Sequence, residues 1–134
     1  VTNKHIIRAT LESIAYQTRD IVELMKIDSK IPLKELRVDG GASANDFLMQ
    51  FQSDLLGVKV NRPENIETTA LGAAYFAAIG AGIKSYNEIA RIKREKSLFK
   101  PSGIPEKMEI MYKGWKEALE RVRNWKKDIG SGFA

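Results

Sequence analysis

Residues 36–45 read LRVDGGASAN, and this stretch decides the fold. Leu36-Arg37-Val38 predicts a short strand that runs into Gly40 and Gly41. A helix is expected directly afterwards, with Gly57 as its C-cap and an apolar face to be buried, formed by Phe47, Leu48, Phe51, Leu55 and Leu56. A strand that leads through two glycines into a helix is typical of layered α/β domains.

The flanking segments continue this alternation of helix and strand. Thr2 is a candidate N-cap for a helix that runs to about residue 27. Val58-Lys59-Val60 predicts a second strand, closed by Asn61-Arg62-Pro63. A third helix is predicted from Thr68 or Thr69 to Gly80, and its many small side chains indicate a tightly packed core helix.

The C-terminal third is predicted to be mostly helical. We expect a short helix over 85–91, an irregular connection over 92–105 and a last helix over about 106–127. The apolar side of that last helix is expected to carry Met111, Trp115, Leu119, Val122 and Trp125. Two strands form a thin sheet for five helices, so further strands are expected in a part of the protein outside this sequence.

Composition excludes several classes of protein. The chain has 134 residues, is 43% hydrophobic and contains no cysteine and one histidine, His5. It can therefore bury a core, but it has neither a disulfide scaffold, a thiolate zinc site nor a cysteine nucleophile. One histidine also argues against a multi-histidine metal site. No apolar run is long enough to cross a bilayer.

The positive charge lies in one segment. The net charge of +5 divides into −1 over residues 1–83 and +7 over 84–127, with Asp128 making up the difference. A basic patch can bind nucleic acid through its phosphates. However, the glutamates interleaved with these cations favour exposed helix faces instead, and no nucleic-acid motif accompanies the charge.

The Gly-Gly segment is the candidate ligand site. Glycines let a ligand approach the backbone, and a loop at the carboxyl end of a strand is where α/β domains bind phosphates. The alternative is an ordinary turn in which Ser43 or Asn45 caps the next helix. Asn45 also suits an adenine edge, because its amide both donates and accepts. Asp39 reads as a turn residue more readily than as a base or a metal ligand, and no catalytic pair is evident.

Longer runs add a family resemblance. Residues 37–57, Arg62-Pro63, the TALGAAY run at 69–75 and Gly114-Trp115 closely resemble the FGGY family of carbohydrate kinases, especially its members that phosphorylate glycerol. Residues 5–17 look like the second half of that family's C-terminal signature, whose opening glycine is expected to lie before Val1. The resemblance implies an α/β fold that is part of an actin-like ATPase domain of ribonuclease-H-like topology. Residues 1–127 would form the C-terminal portion of the second kinase domain, and 128–134 a flexible tail.

The resemblance also implies a chemistry. The family members in question transfer the γ-phosphoryl group of ATP to glycerol, with Mg²⁺, and give glycerol 3-phosphate. Their nucleotide contacts fall here on Gly40, Gly41 and Asn45. The catalytic aspartate, the glycerol-binding residues and the N-terminal phosphate loop belong to regions outside this chain, so no catalytic or metal-binding residue is assigned here and the chain alone is expected to be inactive.

The resemblance also implies partners and a place in the cell. The expected partners are ATP or ADP and glycerol, with no nucleic acid and no membrane, in a cytoplasmic enzyme that forms a homo-oligomer at full length. One alternative is another FGGY sugar kinase, such as one for xylulose or gluconate. A second alternative is a stand-alone interaction module that uses the basic C-terminal third.

Overall fold

The computed structural model describes residues 1–92 and 96–123 as an α/β arrangement of helices on a small sheet. The predicted fold class is therefore confirmed. The elements in chain order are α1 (Asn3–Ser29), β1 (Glu35–Arg37), a 3-10 helix (Gly41–Ala44), α2 (Asp46–Leu56), β2 (Lys59–Pro63), α3 (Thr68–Gly80), α4 (Tyr86–Ala90), β3 (Lys96–Phe99) and α5 (Pro105–Arg123). The predicted helical residues 124–127 and the predicted tail at 128–134 lie outside the described residues.

The described residues form a mixed sheet in the order β1-β2-β3. Strands β1 and β2 are parallel, with Leu36 opposite Val60, and α2 makes the crossover between them. Strand β3 is antiparallel to β2 and places Phe99 opposite Val60. The crossover brings the segments that follow β1 and β2 to the same edge of the sheet.

Strand β3 contradicts the prediction of an irregular connection over 92–105. The prediction that β2 closes at Asn61 is wrong as well, because β2 continues to Pro63 and its last residues pair with β3. Both errors have the same physical reason. Strand β3 has only four residues and little local sequence signal, and its pairing with the distant β2 sets the conformation of both segments.

The core lies between α1, α2, α5 and the sheet. Its buried members are Ala15, Tyr16, Leu48, Met49, Phe51, Leu55, Val60, Met108 and Tyr112. Most of the predicted face of α2 is buried, but Phe47 is 41% exposed, which contradicts its assignment to the buried face. Phe47 lies in the first turn of α2, where its ring stacks on Phe51 at a centroid distance of 6.0 Å and the Arg8 guanidinium covers it.

Helix α5 contacts α1 through polar and aromatic side chains, and the Trp115 ring stacks on Tyr16 at a centroid distance of 5.5 Å. Asp20 accepts hydrogen bonds from the Tyr112 hydroxyl at 2.5 Å and from the Trp115 indole nitrogen at 2.8 Å. The buried Arg19 donates to the Leu55 carbonyl at 3.1 Å and pairs with Glu109. Met111, Trp115 and Leu119, three residues of the predicted apolar side, are partly buried, and Met111 and Trp115 pack against the core. Met108 and Tyr112 are the buried residues of α5 and were not predicted on that side, Val122 is exposed, and Trp125 lies outside the described residues.

Helix α3 has the predicted position but not the predicted burial. None of its residues is buried, although 68–80 contain no charged side chain. The prediction of a tightly packed core helix is therefore wrong within the described part of the chain. Small apolar side chains favour a helix that can pack closely, but burial also requires a partner surface.

Candidate functional site

The Gly-Gly loop lies at the carboxyl edge of the parallel strand pair, as its sequence position predicts. The Val38 amide extends the pairing beyond β1 by donating to the Asn61 carbonyl at 3.1 Å. The Gly40 amide then donates to the Ile66 carbonyl at 2.8 Å, which ties this loop to the one that follows β2. Ligands of open α/β sheets bind at this edge.

The two glycines leave open space beside the backbone. Gly40 has a φ of +78°, a conformation that side chains with a Cβ rarely adopt. A Cβ added at Gly40 or Gly41 would meet no other atom within 4 Å. The space beside Gly41 is open, as it is beside Gly57, Gly72 and Gly114, so the packing of the described residues does not require glycine at position 41.

The residues after the glycines form a closed turn. The buried Ser43 donates its hydroxyl to the Gly40 carbonyl at 2.7 Å, and its amide donates to the same oxygen at 3.0 Å. Asn45 is the N-cap of α2, because its Oδ1 accepts from the Leu48 amide at 2.9 Å. The predicted capping role thus falls on Asn45, while Ser43 closes the turn before it.

Capping occupies part of the Asn45 amide. Its Oδ1 accepts one hydrogen bond from the helix, whereas its Nδ2 has no partner among residues 1–92 and 96–123, and the residue is exposed. Both hydrogens of Nδ2 are therefore available to donate to an acceptor atom of a ligand. Gly40, Gly41 and Asn45 lie in one short loop, as predicted.

Arg62 is a residue of this site that the sequence patterns did not single out. From the end of β2, its Nη1 donates to the Ser43 carbonyl and to Asp46 Oδ1, both at 2.8 Å. The guanidinium lies 5.1 Å from the Phe99 ring centroid. No spacing rule joins Arg62 to the Gly-Gly loop, because their contact depends on the parallel pairing of β1 with β2.

Asp39 connects the Gly-Gly loop to the start of α3, and no ion pair of its carboxylate occurs among residues 1–92 and 96–123. Its Oδ2 accepts from the Thr68 hydroxyl, at the start of α3. The described ranges, 1–92 and 96–123, contain no group of three His, Asp or Glu side chains placed to hold a metal ion.

Exposed acid-base pairs occur in the basic third. Lys84 Nζ, in the loop before α4, lies 3.8 Å from Glu88 Oε1, and Arg123 Nη1 lies 3.0 Å from Glu120 Oε1 on α5. The second pair has the spacing of a solvated helix face. Lys93, Arg94 and Glu95, which fall in the densest part of the basic run, lie outside the described residues.

The comparisons with known proteins decide the family. Residues 1–81 match the model of the C-terminal domain of the FGGY family of carbohydrate kinases. This chain belongs to that family. The resemblance drawn from residues 5–17, 37–57 and 69–75 is thereby confirmed.

Curated FGGY relatives resemble the chain over almost its whole length. A glycerol kinase from Thermoanaerobacter sp. (strain X514) is 58% identical over 123 residues, which is 91% of this chain and 25% of the relative. Glycerol kinase 1 of Clostridium tetani is 57% identical over 127 residues, 94% of this chain and 26% of the relative. The chain thus spans about a quarter of the length of these relatives.

Solved FGGY structures confirm the fold. Plasmodium falciparum glycerol kinase with ADP superposes with a TM-score of 0.71 at 35% identity, over 87% of this chain and 24% of that one. Xylulose kinase from Rhodospirillum rubrum has a TM-score of 0.72 at 23% identity, over 93% and 26%, and shows the fold alone. The chain is therefore part of an actin-like ATPase fold. No helix in the described ranges has the length and apolar character needed to span a membrane.

Proposed function

We propose that this chain is the nucleotide-binding C-terminal portion of a glycerol kinase, which transfers the γ-phosphoryl group of ATP to glycerol and gives glycerol 3-phosphate. The observation that carries the proposal is the 57–59% identity, over about nine-tenths of the chain, to enzymes named glycerol kinase. The solved glycerol kinase with ADP supports a nucleotide ligand for the same fold.

Within this proposal, the Gly-Gly loop and Asn45 form one wall of the nucleotide site. The open space beside Gly40 and Gly41 lets the nucleotide lie against the backbone. Asn45 donates through Nδ2 to a ring nitrogen of adenine, while its Oδ1 accepts from the Leu48 amide and holds the side chain in place. The site is thus a pre-formed surface that orients the base.

Mg²⁺ is part of the proposed reaction but is not assigned to residues of this chain. When bound to ATP, the ion neutralises charge on the phosphates and helps to align them. The loop glycines contribute backbone and space, which suits a nucleotide and supplies no carboxylate. We propose that the metal ligands, the catalytic base and the glycerol contacts lie in other parts of the enzyme.

The chain by itself is proposed to be inactive. Phosphoryl transfer requires the phosphates, the metal and the acceptor hydroxyl to be positioned together. We assign residues 1–127 to the C-terminal portion of the second kinase domain and 128–134 to a flexible tail. A homo-oligomeric full-length enzyme in the cytoplasm, with no nucleic-acid or membrane partner, completes the proposal.

The direct test is a product assay on the full-length protein and on the 134-residue chain. With ATP, Mg²⁺ and glycerol, the full-length protein is expected to form glycerol 3-phosphate and the chain to form none. Xylulose and gluconate serve as competing substrates. Preferred phosphorylation of either sugar would overturn the glycerol assignment, and turnover by the chain would overturn its proposed inactivity.

The role of Asn45 is tested by two substitutions that retain the helix cap. Aspartate and serine both cap helices well, but neither carries the amide donor. In the full-length enzyme, Asn45→Asp and Asn45→Ser are expected to raise the KM for ATP about three- to tenfold, the effect of one lost hydrogen bond. The KM for glycerol serves as the internal control and is expected to stay unchanged.

Thermal unfolding separates this role from capping alone. If Asn45 acts only as a cap, Asn45→Ala lowers the melting temperature while Asn45→Asp and Asn45→Ser leave the KM for ATP at the wild-type value. That result would remove Asn45 from the nucleotide site. A raised KM in both capped variants supports donation by Nδ2.

A further inference from the structure

Arg62, at the end of β2, donates hydrogen bonds to the segment that joins the Gly-Gly loop to α2. Its Nη1 donates to the carbonyl of Ser43 and to Oδ1 of Asp46, each at 2.8 Å. These two acceptors lie on either side of Asn45, two residues before it and one residue after it. Ser43, which precedes Asn45, and Asp46, the first residue of α2, are therefore both hydrogen-bonded to β2.

Ser43 connects Arg62 to the glycines by hydrogen bonds. While its carbonyl accepts from Arg62, the Ser43 hydroxyl and amide both donate to the Gly40 carbonyl, at 2.7 and 3.0 Å. One guanidinium thus connects the left-handed turn at Gly40 with the helix cap at Asn45. Such a chain of hydrogen bonds restrains the loop at both of the places where the nucleotide is proposed to lie.

The surroundings of Arg62 differ from those of an ordinary surface ion pair. Its side chain is 16% exposed, and the guanidinium packs over the Phe99 ring of β3. Asp46 is 77% exposed and neutralises the charge from the solvent side. Both hydrogen bonds come from Nη1, while the planar face of the guanidinium packs over the ring. A lysine ammonium has no such planar face, and the lysine side chain is one bond shorter than the path to Nη1.

We propose that Arg62 is a positioning residue for nucleotide binding: it holds Asn45 and the Gly-Gly loop in the geometry that receives the base, without contacting the nucleotide itself. The inference rests on the proposed function, because it gives a role to the same loop. It assigns to β2 and β3 an indirect part in nucleotide affinity, transmitted through Ser43 and Asp46.

The experiment compares Arg62→Lys with wild type in the full-length enzyme. Lysine keeps the positive charge, but its side chain is one bond shorter than the path to Nη1 and has no planar face to pack over the Phe99 ring. We expect a rise of about fivefold in the KM for ATP and in the dissociation constant of ADP, from loss of a charge-assisted hydrogen bond. The kcat at saturating ATP and the KM for glycerol are expected to stay within about twofold of wild type.

A double-mutant cycle tests whether Arg62 acts through Asn45. In the Asn45→Ser background, adding Arg62→Lys is expected to weaken ADP binding by less than it does in wild type, because the Asn45 donor is already gone and only the part transmitted through the glycines remains. The matched control is Arg123→Lys, an exposed arginine paired with Glu120 on α5, which is expected to leave ADP binding unchanged. Because part of the effect is transmitted through Asn45, the two substitutions together are expected to weaken ADP binding by less than the product of their separate effects; fully additive free energies would overturn the proposal.

A second variant keeps the test decisive if Arg62→Lys fails to fold. Asp46→Ala removes one of the two acceptors at an exposed position and is expected to raise the ADP dissociation constant about twofold. An unchanged constant in folded Asp46→Ala overturns the proposal. Wild-type turnover of glycerol tests the proposed function, whereas the ratio of ADP constants tests Arg62, so the two ideas fail separately.

Discussion

Helices α2 and α3 are of similar length but have opposite environments. Helix α2 contains aspartates and glutamines, yet seven of its eleven residues are buried: Leu48, Met49, Phe51, Gln52, Ser53, Leu55 and Leu56. Helix α3 has no charged residue, yet none of its thirteen residues is buried. The more apolar helix is therefore the less buried one, so apolar content does not predict burial here.

The difference shows that the burial of a helix depends on whether another element packs against it. Helix α2 packs against α1, α5 and the sheet, and its polar residues find partners there: Ser53, for example, donates its hydroxyl to the Val58 carbonyl at 2.7 Å. Helix α3 is tied to the loop after β1 through Thr68 and Asp39. One helix is part of a core and the other is exposed on the described part of the chain.

The largest expected effect comes from a substitution in α2. Leu48 is 2% exposed, so Leu48→Ala is expected to lower the free energy of unfolding of the 134-residue chain by about 2–5 kcal/mol, measured by urea denaturation. The matched variant in α3 is Phe76→Ala. Phe76 is 76% exposed, and its loss is expected to change the same quantity by less than about 0.5 kcal/mol. Similar losses in both variants would erase the contrast between the helices.

A smaller effect is expected where α5 closes the core. Tyr112→Phe removes the hydroxyl that donates to Asp20 and is expected to cost about 1–2 kcal/mol near neutral pH. Burial, followed by the hydrogen bond to Asp20, raises the pKa of Tyr112 to about 12. Because the folded state favours the protonated phenol, this stabilisation is present below pH 10 and is lost as the pH rises towards 12.

The measurement is the difference in melting temperature between wild type and Tyr112→Phe across this alkaline range. The difference is expected to shrink as the pH rises from 9 to 12. A constant difference would show that the hydroxyl contributes nothing that ionisation removes. Comparison at each pH cancels the titration of the lysines, which both proteins share.

The smallest effect is expected on the exposed side of the molecule, in α4. The Glu88 carboxylate accepts from the Ser85 amide at 2.8 Å and from its hydroxyl at 2.9 Å, and these bonds lower the pKa of Glu88. The resulting stabilisation is present above the ordinary glutamate pKa and is lost as the pH falls through the lowered value. In Ser85→Ala, carboxyl titration by NMR is expected to show the pKa of Glu88 closer to its ordinary value. An identical titration would contradict the capping bond.

Local signals predicted the helix boundaries well, because helix ends are chemical features of single residues. Thr2 precedes α1, Asn45 caps α2 with its side chain, and Gly57 ends α2 in the left-handed conformation. Strand β3 escaped prediction because its partner β2 lies more than thirty residues earlier in the chain. The exposure of α3 was not predicted, because a sequence pattern can identify an apolar helix but cannot show whether another element covers it.

The candidate site divides in the same way. Gly40, Gly41 and Asn45 lie within six residues of one another, so the sequence alone predicted them as a group. Whether Asn45 would cap or bind was left open, and the structure shows that the cap uses its oxygen. Arg62 joins the group only through the pairing of β1 with β2, which the sequence pattern does not encode locally.

The contact between α1 and α5 has a consequence for how the molecule is made. Asp20 meets Tyr112 and Trp115 across separations of 92 and 95 residues. A ribosome therefore releases α1 and α2 long before the helix that closes over them has been synthesised. During that interval the apolar faces of α1 and α2 lack their cover, and the closing step must bring together the ends of a very long loop. Folding of this core can finish only after Trp115 has left the exit tunnel.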